Sequence, residues 1–221
     1  MYRTVRYGNE DAVIADRRNS RGEQTRERIR AAAQRLFLQQ GYLATSVDAI
    51  REAAGVSSQQ TLYRHYASKE ELFVDVMGHL TIEQPSFSTM VSALPEPRNL
   101  LSLRQALTTV AREILSLMSQ PEYLSLIRIL IAETARFPQL GPLFFATVPL
   151  RGLAIIIGLL RAARERGFIA DVDFEVVARA LLGGLLTYAI QGLLASGGDP
   201  QPPPLDRADA LVEVMLRAVA L

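Results

Sequence analysis

The 221-residue sequence has no cysteine and only two histidines, His65 and His79. Without cysteine the chain can form no disulfide and offers no thiolate for catalysis or for a zinc or iron–sulfur site. Two histidines are too few for a histidine-rich metal cage, so we expect neither a metal ion nor a cofactor. The first twenty residues also lack the continuous apolar core of a secretory signal, which predicts a cytoplasmic protein.

Long apolar runs are scarce as well. The run Leu153–Leu160 is bracketed by Arg151 and Arg161, and the run Leu181–Ala195 carries Gln191 near its end. A helix needs about 20 apolar residues to cross a bilayer. Both runs are shorter than that, so we expect buried helices and no membrane partner.

Charges of both signs are present, but they are unevenly distributed. The net charge is +1, yet residues 1–69 carry 12 basic against 7 acidic side chains, and residues 70–221 carry 12 against 16. A basic front followed by an acidic remainder predicts that one end binds a polyanion. Lys69 is the only lysine, and the preference for arginine is also what a GC-rich coding bias produces.

Apolar residues recur at helical spacing after residue 24, whereas strand-like alternation is almost absent. The sequence therefore predicts an all-α protein with about nine helices. Four are expected in the N-terminal part, at about 22–40, 46–54, 58–66 and 68–80. Five are expected in the C-terminal part, at about 98–119, 122–136, 139–166, 173–195 and 206–219, the third of these being interrupted near Pro142 and Pro149.

Residues 45–66 have the pattern of two short helices joined by a turn around Gly55, with a longer helix before them. In the second short helix Leu62 and Tyr66, four residues apart, can face the core. The opposite face then carries polar side chains, namely Gln59, Gln60, Tyr63 and Arg64. Glutamine can pair with adenine, and arginine with guanine or phosphate. Residues 17–69 carry ten basic against four acidic side chains, so we interpret this unit as a DNA-binding helix-turn-helix.

The stretch from Arg26 to Met77 resembles the N-terminal DNA-binding domain of the TetR/AcrR family of bacterial transcriptional regulators. The resemblance rests on motifs that occur together and in order: the small-residue first helix, Gly41-Tyr42, Thr45-Ser46, Ala54-Gly55-Val56, Thr61-Leu62-Tyr63 and Ser68-Lys69-Glu70. It covers about fifty residues. The remainder of the chain matches only in style, because the C-terminal helices of this family diverge while forming a ligand pocket and a dimer interface.

The resemblance implies two groups of DNA contacts. Phosphate contacts would come from Thr45, Ser46, Tyr63, His65 and Lys69. The major-groove end of the recognition helix would carry Ser58, Gln59, Gln60 and Thr61, with Arg64 on the same polar face. We also expect Thr45 to cap the first short helix, and Ser68 with Glu71 to form a capping box.

Two residues depart from the family pattern. The segment from Gly55 to Thr61 is one residue longer than usual, so either the turn is longer and Ser58 caps the recognition helix, or Ser57 caps it and the helix start is rearranged. Arg51 follows Ile50 where the family usually has a small residue. Packing between the two short helices could therefore be wider.

The resemblance and the proline pattern together predict four segments. Pro85, Pro95 and Pro97 break the helical pattern before residue 98. We expect a disordered arm at 1–20, the helix-turn-helix domain at 21–67, a connecting helix and linker at 68–97, and a ligand-binding and dimerisation domain at 98–221. The fourth helix, 68–80, is the expected lever between the domains.

Bulky apolar side chains of the C-terminal part are candidates to line an effector pocket, although residues of this kind at helical spacing also form plain cores. These candidates are Phe87, Met118, Tyr123, Phe144 and Phe145. Arg128 and Glu133 interrupt an apolar helix and are the expected directional contacts, with structural ion pairing as the alternative role. We therefore expect a largely apolar effector.

The last two predicted helices carry a broad apolar surface that a monomer would leave exposed to water, which predicts a two-fold dimer. The expected interface residues are Leu182, Gly184, Leu185, Leu186, Ala189, Leu193, Leu211, Met215 and Val219. Glycine within a helix allows close approach of a neighbour, which is the expected role of Gly184.

These features predict a ligand-responsive transcriptional regulator, most simply a repressor. It would bind a palindromic double-stranded operator as a homodimer and be released by a hydrophobic small molecule. One alternative is an all-helical small-molecule carrier or enzyme with a vestigial DNA-binding module, which the absence of a plausible catalytic set disfavours. Another alternative is an adaptor that binds a protein in place of a small molecule.

Overall fold

The computed structural model of the protein describes residues 10–195 and 203–220, and this part of the chain contains eleven α-helices. They are α1 (Glu10–Ala44), α2 (Val47–Ala53), α3 (Gln59–His65), α4 (Lys69–His79), α5 (Pro85–Ser92), α6 (Leu100–Met118), α7 (Pro121–Thr134), α8 (Leu140–Thr147), α9 (Pro149–Glu165), α10 (Phe174–Ala195) and α11 (Asp206–Val219). The described β pairing is one isolated bridge between Ile169 and Ala220. The all-α prediction is confirmed.

Two of the eleven helices account for the difference from the predicted nine. The helix expected at 139–166 is divided into α8 and α9, because Pro149 begins a new helix. The other addition is α5, which lies in the segment expected to be a linker. Pro85 is its first residue, a position where the missing backbone N–H of proline is tolerated.

The first helix begins earlier than expected. α1 starts at Glu10, so residues 10–20 are helical where the sequence analysis expected part of a disordered arm; residues 1–9 lie outside the described part. No glycine or proline occurs between Glu10 and Gly22, and acidic residues favour a helix start. At the other end Gly41, with φ +81°, interrupts the helical backbone close to the predicted end.

The chain divides into two compact units, one up to Val76 and one from Met77, so the division lies within α4. In the first unit α1 packs against α2, and α2 against α3. Its core is apolar and fully enclosed, with Ile29, Ala33, Phe37, Ile50, Leu72 and Phe73 having no exposed surface. The rings of Phe37, Tyr42 and Phe73 lie 5.1–5.7 Å apart, at the separation typical of aromatic clusters.

The second unit is organised around α6, which packs against α9, α10 and α11. α6 buries one long apolar stripe from Leu103 to Met118. α10 packs against α7, α9 and α11, and α8 closes over α7 and α9. This arrangement leaves space between α6, α7, α8, α9 and α10, where the cavity described below is located.

Two helical segments are long and apolar enough to cross a membrane by length and composition alone. They are Leu140–Glu165, with mean hydropathy 2.1, and Phe174–Gln191, with mean hydropathy 1.2. These segments extend beyond the runs Leu153–Leu160 and Leu181–Ala195 that the sequence analysis compared with a bilayer, since α8 and α9 are continuous in hydropathy across Pro149 and the second segment begins at Phe174. Only 28% and 22% of these windows are buried within the chain, so burial inside the monomer is also incomplete.

Candidate functional site

The short helix α3 begins at a serine cap. The backbone N–H of Thr61 donates to Ser58 Oγ over 3.2 Å, and Ser58 has the extended backbone of an N-cap residue. This decides between the two alternatives for the extra residue: the turn is one residue longer, and Ser58 is the cap. Its hydroxyl also lies 3.0 Å from Thr61 Oγ1. Both hydroxyls are therefore engaged in forming the helix start.

α3 has one buried and one exposed face, as the sequence predicts. Leu62 and Tyr66 are each 1% exposed. The polar face is open, with Gln59, Gln60, Tyr63 and Arg64 all exposed. Nearly half of the Tyr63 side chain is accessible, which is unusual for an aromatic residue and suits contact with a partner. The structure thus brings the predicted recognition residues together on one surface.

Thr45 has neither of the roles predicted for it. Ser46 is the cap of α2, since its Oγ accepts the N–H of Ala49 over 3.0 Å. The Thr45 side chain has no exposed surface, and its hydroxyl donates to the Gly41 carbonyl over 2.7 Å. It cannot reach a phosphate from this position. Two adjacent cap-forming residues are ambiguous in sequence, and the break at Gly41 decides which of them turns inward.

His65 also departs from its predicted role. Its Nε2 is buried and has no hydrogen-bond partner among the described residues. Burial lowers the pKa of His65, and the charges of Arg64 and Arg26 lower it further. The imidazole is therefore neutral at pH 7 and offers no cationic contact to phosphate through this nitrogen.

Lys69 lies at the first position of α4, as expected. Its Nζ is 4.1 Å from the centroid of the Tyr42 ring, in a cation–π contact. One of the two bonds of the predicted capping box is present beside it, because the Glu71 N–H donates to Ser68 Oγ. The Glu71 carboxylate accepts the N–H of Ala67, one residue before the cap. The phosphate contact of Lys69 stays a prediction.

An arginine from α1 fixes the turn between α2 and α3. The Nη2 of Arg28 donates to the carbonyls of Ala54 and Gly55, over 2.5 and 2.8 Å. Gly55 has φ +62°, and a Cβ at this position would lie 2.7 Å from that same nitrogen. The positive φ therefore favours glycine, and a larger residue would have to displace the Arg28 guanidinium.

Arg51, the unusual residue of α2, also contacts this turn. Its Nη1 donates to the Val56 carbonyl over 3.2 Å, and its Nε to Asp48 Oδ1 over 2.7 Å. The hydrogen bond from Arg51 lowers the pKa of Asp48, and a further one from Gln59 acts in the same direction. The larger residue thus reaches around the helix end to hold the longer turn.

A buried acid that was not predicted from the sequence joins three helices. Asp75 of α4 is 8% exposed and accepts hydrogen bonds from Arg26, Arg30 and Tyr66, over 2.6, 2.6 and 2.8 Å. Burial raises the pKa of Tyr66 to about 12, so its hydroxyl stays protonated and able to donate. The network links α1 and α4 to the residue that ends α3. A single acid within the apolar stripe Leu72–Met77 was the available signal.

Several arginines of the first unit are consequently engaged in hydrogen bonds or ion pairs within the protein. Arg28 and Arg51 bind turn carbonyls, whereas Arg26 and Arg30 bind Asp75. Arg64 is exposed and makes no hydrogen bond or ion pair with another described residue. Within α3 it is therefore the candidate for a cation that an external polyanion would meet.

The second unit contains a cavity of about 340 Å³ with an almost entirely apolar wall. This volume is at the lower end of the range typical of small-molecule sites. The wall is formed by Met118, Tyr123, Ile127, Leu130, Ile131, Phe144, Phe145, Pro149, Leu153, Arg179, Leu182, Gly183, Leu186 and Ile190.

Four of the predicted pocket residues line this cavity: Met118, Tyr123, Phe144 and Phe145. Phe87 does not; it lines a smaller adjoining cavity of about 20 Å³. Neither Arg128 nor Glu133 lines the cavity, and Arg128 is exposed on α7, so the predicted directional contacts are wrong. Although Arg128 interrupts an apolar run of sequence, it lies on the solvent-exposed side of α7.

α10 forms a part of the cavity wall that was not predicted from the sequence. Leu182 and Leu186 line the cavity, although they were predicted to form a dimer interface. Arg179, also on α10, is the charged residue of the wall. The helix is apolar around most of its circumference, so its periodicity alone could not show which face meets which neighbour.

Most of the other predicted interface residues are buried within one chain. Leu185 and Val219 have no exposed surface, and Ala189 and Met215 are 1% and 7% exposed. A Cβ on Gly184 would lie 2.9 Å from Leu211 Cδ2, so this glycine permits close packing of α10 against α11 of the same chain. The side chain of Leu193 lies outside the described residues. The predicted interface is therefore a core, and the exposed stripe of α10 is a different one.

That exposed stripe runs along α10 at helical spacing. It consists of Val176, Ala180, Gly183, Thr187, Gln191 and Leu194. Val176 and Leu194, at its two ends, are 61% and 78% exposed. On α11 the exposed Val214 lies among alanines and arginines. An uncharged stripe of this kind is typical of a surface that another protein chain covers.

Comparison with known families agrees with this architecture. Residues 29–76 match the bacterial regulatory proteins of the tetR family, and residues 105–219, more than half of the chain, match the C-terminal domain of AefR-like transcriptional repressors. The chain belongs to the TetR family of bacterial transcriptional regulators. As a TetR-family member it is a ligand-responsive DNA-binding transcriptional regulator.

Relatives of this TetR-family chain are similar over most of its length. The HTH-type transcriptional repressor BepR of Brucella suis is 26% identical over 183 residues, which span 80% of this chain and 85% of that protein. A TetR-family regulator from Mesorhizobium loti is 27% identical with TM-score 0.68, covering 91% of this chain and 99% of the other. The flavonoid-responsive regulator FrrA is 29% identical with TM-score 0.65, covering 90% and 98%.

Proposed function

We propose that this protein is a homodimeric repressor that binds a palindromic operator and leaves it when a largely apolar, planar molecule fills the cavity of the second unit. The observation that carries the proposal is the exposed face of α3, where Gln59, Gln60, Tyr63 and Arg64 lie together above a buried face. Such a helix is suited to reading base edges in the major groove. A regulator of this kind acts in the cytoplasm, where the chromosome is.

The DNA-binding residues divide into two classes. Gln59 and Gln60 have amide groups at the start of α3 and are proposed to read bases. Arg64, Tyr63 and Lys69 are proposed to contact phosphates, together with Ser46 at the start of α2. Ser58 and Thr61 hold the helix start and act through its orientation.

The DNA contacts are tested by measuring operator affinity across salt concentrations. Arg64→Ala should weaken binding to all sequences and reduce the slope of log K against log salt by about one unit. Gln60→Ala should leave that slope unchanged and relax preference at one or two base pairs, each worth about 1–3 kcal/mol. The matched control is Arg217→Ala, an exposed arginine of α11. Equal effects of Arg64→Ala and Arg217→Ala would contradict the assignment.

The dimer is proposed to form through the exposed stripe of α10. Two copies related by a two-fold axis would bring Ala180, Gly183 and Thr187 against the same residues of the partner, which their small size allows. Ala180→Arg or Thr187→Arg should therefore give monomers in sedimentation and abolish tight operator binding. Thr109→Arg, on the exposed side of α6, is the matched control and should stay dimeric.

The cavity is the proposed effector site. Its apolar wall favours a hydrophobic molecule, and the similarity to a flavonoid-responsive regulator supports a planar aromatic one. α4 contributes residues to both units and is proposed to carry the change from one to the other. A coupling of about 1–3 kcal/mol would lower operator affinity by about 5- to 150-fold. Screening planar aromatic compounds for release of operator DNA tests this step.

A further inference from the structure

The wall of the cavity between α6, α7, α8, α9 and α10 contains two side chains with polar groups. Twelve of its fourteen residues are apolar or glycine, and the two others are Tyr123 and Arg179. Tyr123 is 1% exposed, whereas the side chain of Arg179 is 46% exposed. One polar group therefore lies in the buried part of the cavity and the other at its rim.

The hydroxyl of Tyr123 makes no hydrogen bond with any residue in the described part of the chain. Its side chain lines both this cavity and the small one beside it. Burial raises the pKa of Tyr123, so the phenol is neutral and can donate as well as accept. A buried polar group without a partner is unfavourable, and buried groups of this kind are normally hydrogen-bonded. An oxygen atom of a bound molecule would supply the partner.

Arg179 is held in place at the rim. Its Nε and Nη2 donate to Glu175 Oε1 over 2.9 and 2.7 Å, and its guanidinium lies 5.3 Å from the centroid of the Phe145 ring. Phe145 is itself part of the wall, so the cation lies beside the aromatic surface that a ligand would contact. These bonds leave Nη1 available, and a guanidinium can bind a second carboxylate through it.

We infer that the cavity binds an aromatic carboxylic acid with a planar apolar body, a hydroxyl or carbonyl oxygen that bonds to Tyr123, and a carboxylate that pairs with Arg179. This inference rests on the proposed function, because it names the chemical class of the effector. The apolar body fills the wall formed by α6 to α10, and the two polar groups fix its direction. A volume of about 340 Å³ suits a molecule of two or three rings.

The test uses three biphenyl probes in calorimetric titrations of the full-length protein. 4′-Hydroxybiphenyl-4-carboxylate carries both polar groups, biphenyl-4-carboxylate lacks the hydroxyl, and 4-hydroxybiphenyl lacks the carboxylate. The probe with both groups should bind most tightly. Removal of the carboxylate should weaken binding by about tenfold or more, and removal of the hydroxyl by a few-fold, as expected for charged and neutral hydrogen bonds.

Two variants assign these losses to residues. Arg179→Gln should weaken both carboxylate probes by about tenfold and leave 4-hydroxybiphenyl unchanged. Tyr123→Phe should weaken the two hydroxyl probes by a few-fold and leave biphenyl-4-carboxylate unchanged. Arg128→Gln is the matched control, because Arg128 is exposed outside the cavity and should alter no affinity.

The inference is overturned if no probe binds, if Arg179→Gln weakens all three probes equally, or if Arg128→Gln has the same effect as Arg179→Gln. Operator binding measured on the same samples separates this failure from failure of the proposed function. Probe binding with the expected pattern but without release of DNA would support the ligand class and refute induction through the cavity. Intact operator binding with no probe binding would refute the ligand class and leave DNA binding standing.

Discussion

Each of the two units of this protein is stabilised internally by a different kind of contact. In the first unit, arginines and an acid reach across helices: Arg28 bonds to the α2–α3 turn, and Asp75 binds Arg26, Arg30 and Tyr66. In the second unit the long helices meet through apolar side chains, and ion pairs such as Arg112–Asp209 lie on the exposed surface. Directional contacts thus surround the short helices and are peripheral to the long ones.

This difference matches what each unit must do. A hydrogen bond requires particular distances and angles, so the network of the first unit defines one orientation of a seven-residue helix. Apolar contacts are less directional and tolerate rearrangement, which suits helices that enclose a cavity and respond to its contents. The comparison predicts that polar substitutions damage the first unit much more than the second.

The largest effect should come from Asp75→Ala. It leaves two arginines and a tyrosine without their shared acceptor in a largely buried site, and loss of one partner of a buried ion pair typically costs about 3–5 kcal/mol. Asp209→Ala removes a comparable pair from the surface and should change the free energy of unfolding far less. Chemical denaturation followed by circular dichroism measures both. Equal losses would abolish the distinction between the units.

Lowering the pH should remove part of the contribution that Asp75 makes to the free energy of unfolding. Burial alone would raise the pKa of Asp75, but hydrogen bonds from Arg30 and Tyr66 and the charge of Arg30 hold this pKa below its usual value. Since the folded pKa is lower than the unfolded one, Asp75 stabilises the fold fully above about pH 4, and this contribution is lost as the pH falls through the folded pKa. Unfolding measured between pH 6 and 3 should show a steeper loss for the wild type than for Asp75→Asn. Parallel curves would exclude Asp75 as the titrating group.

Gly55→Ala should have the next largest effect. Alanine is strained at φ +62°, and its Cβ would displace Arg28 from the turn, for a combined loss of about 2–3 kcal/mol. Gly167 is the control: it has φ +78° but no atom lies within 4 Å of an added Cβ, so Gly167→Ala should cost about 1 kcal/mol through backbone strain alone. Thermal unfolding distinguishes the two. A loss at Gly167 as large as at Gly55 would show that backbone strain alone matters and that the Arg28 contact does not.

The smallest effects on stability should come from the helix caps, whose removal should affect operator binding differently in the two units. Ser58→Ala and Asn99→Ala each remove an N-cap and should each cost about 1 kcal/mol. α3 has seven residues and depends on its cap, whereas the nineteen residues of α6 are held by their buried stripe. Operator affinity should therefore fall for Ser58→Ala and stay unchanged for Asn99→Ala. A mobility-shift titration with operator DNA at a fixed salt concentration measures the affinity of both variants.

Local rules predicted the recognition surface well. The spacing of Leu62 and Tyr66 identified the buried face of α3, and the exposed positions followed from it. Sequence patterns did not predict the position of a side chain where residues far away in the sequence determine it. Thr45 and Ser46 are equally good caps in sequence, and only the break at Gly41 turns Thr45 inward. Asp75 is unremarkable in a helix sequence until Arg26 and Arg30 from another helix surround it.

The cavity was predicted only in part, for a reason specific to α10. Met118, Tyr123, Phe144 and Phe145 were identified because bulky side chains at helical spacing indicate an interior. The wall contributed by α10 was not, since a helix that is apolar on most sides carries no signal that separates a cavity from a core or a subunit interface. Arg179 was available as a candidate for a charged residue of the wall, because it is the charged residue nearest to this apolar stretch in the sequence. Its role depends on Phe145, which no sequence rule places beside it.

The division of α3 into holding and reading residues bears on how regulators of this kind acquire new targets. Ser58, Leu62 and Tyr66 hold the helix, whereas Gln59 and Gln60, the residues proposed to read bases, are exposed and contribute little to its attachment. Exchanging the reading residues should therefore alter the preferred operator with almost no loss of folding stability. After gene duplication, a copy could drift to a new promoter through one or two such exchanges while keeping its fold and its chemical trigger.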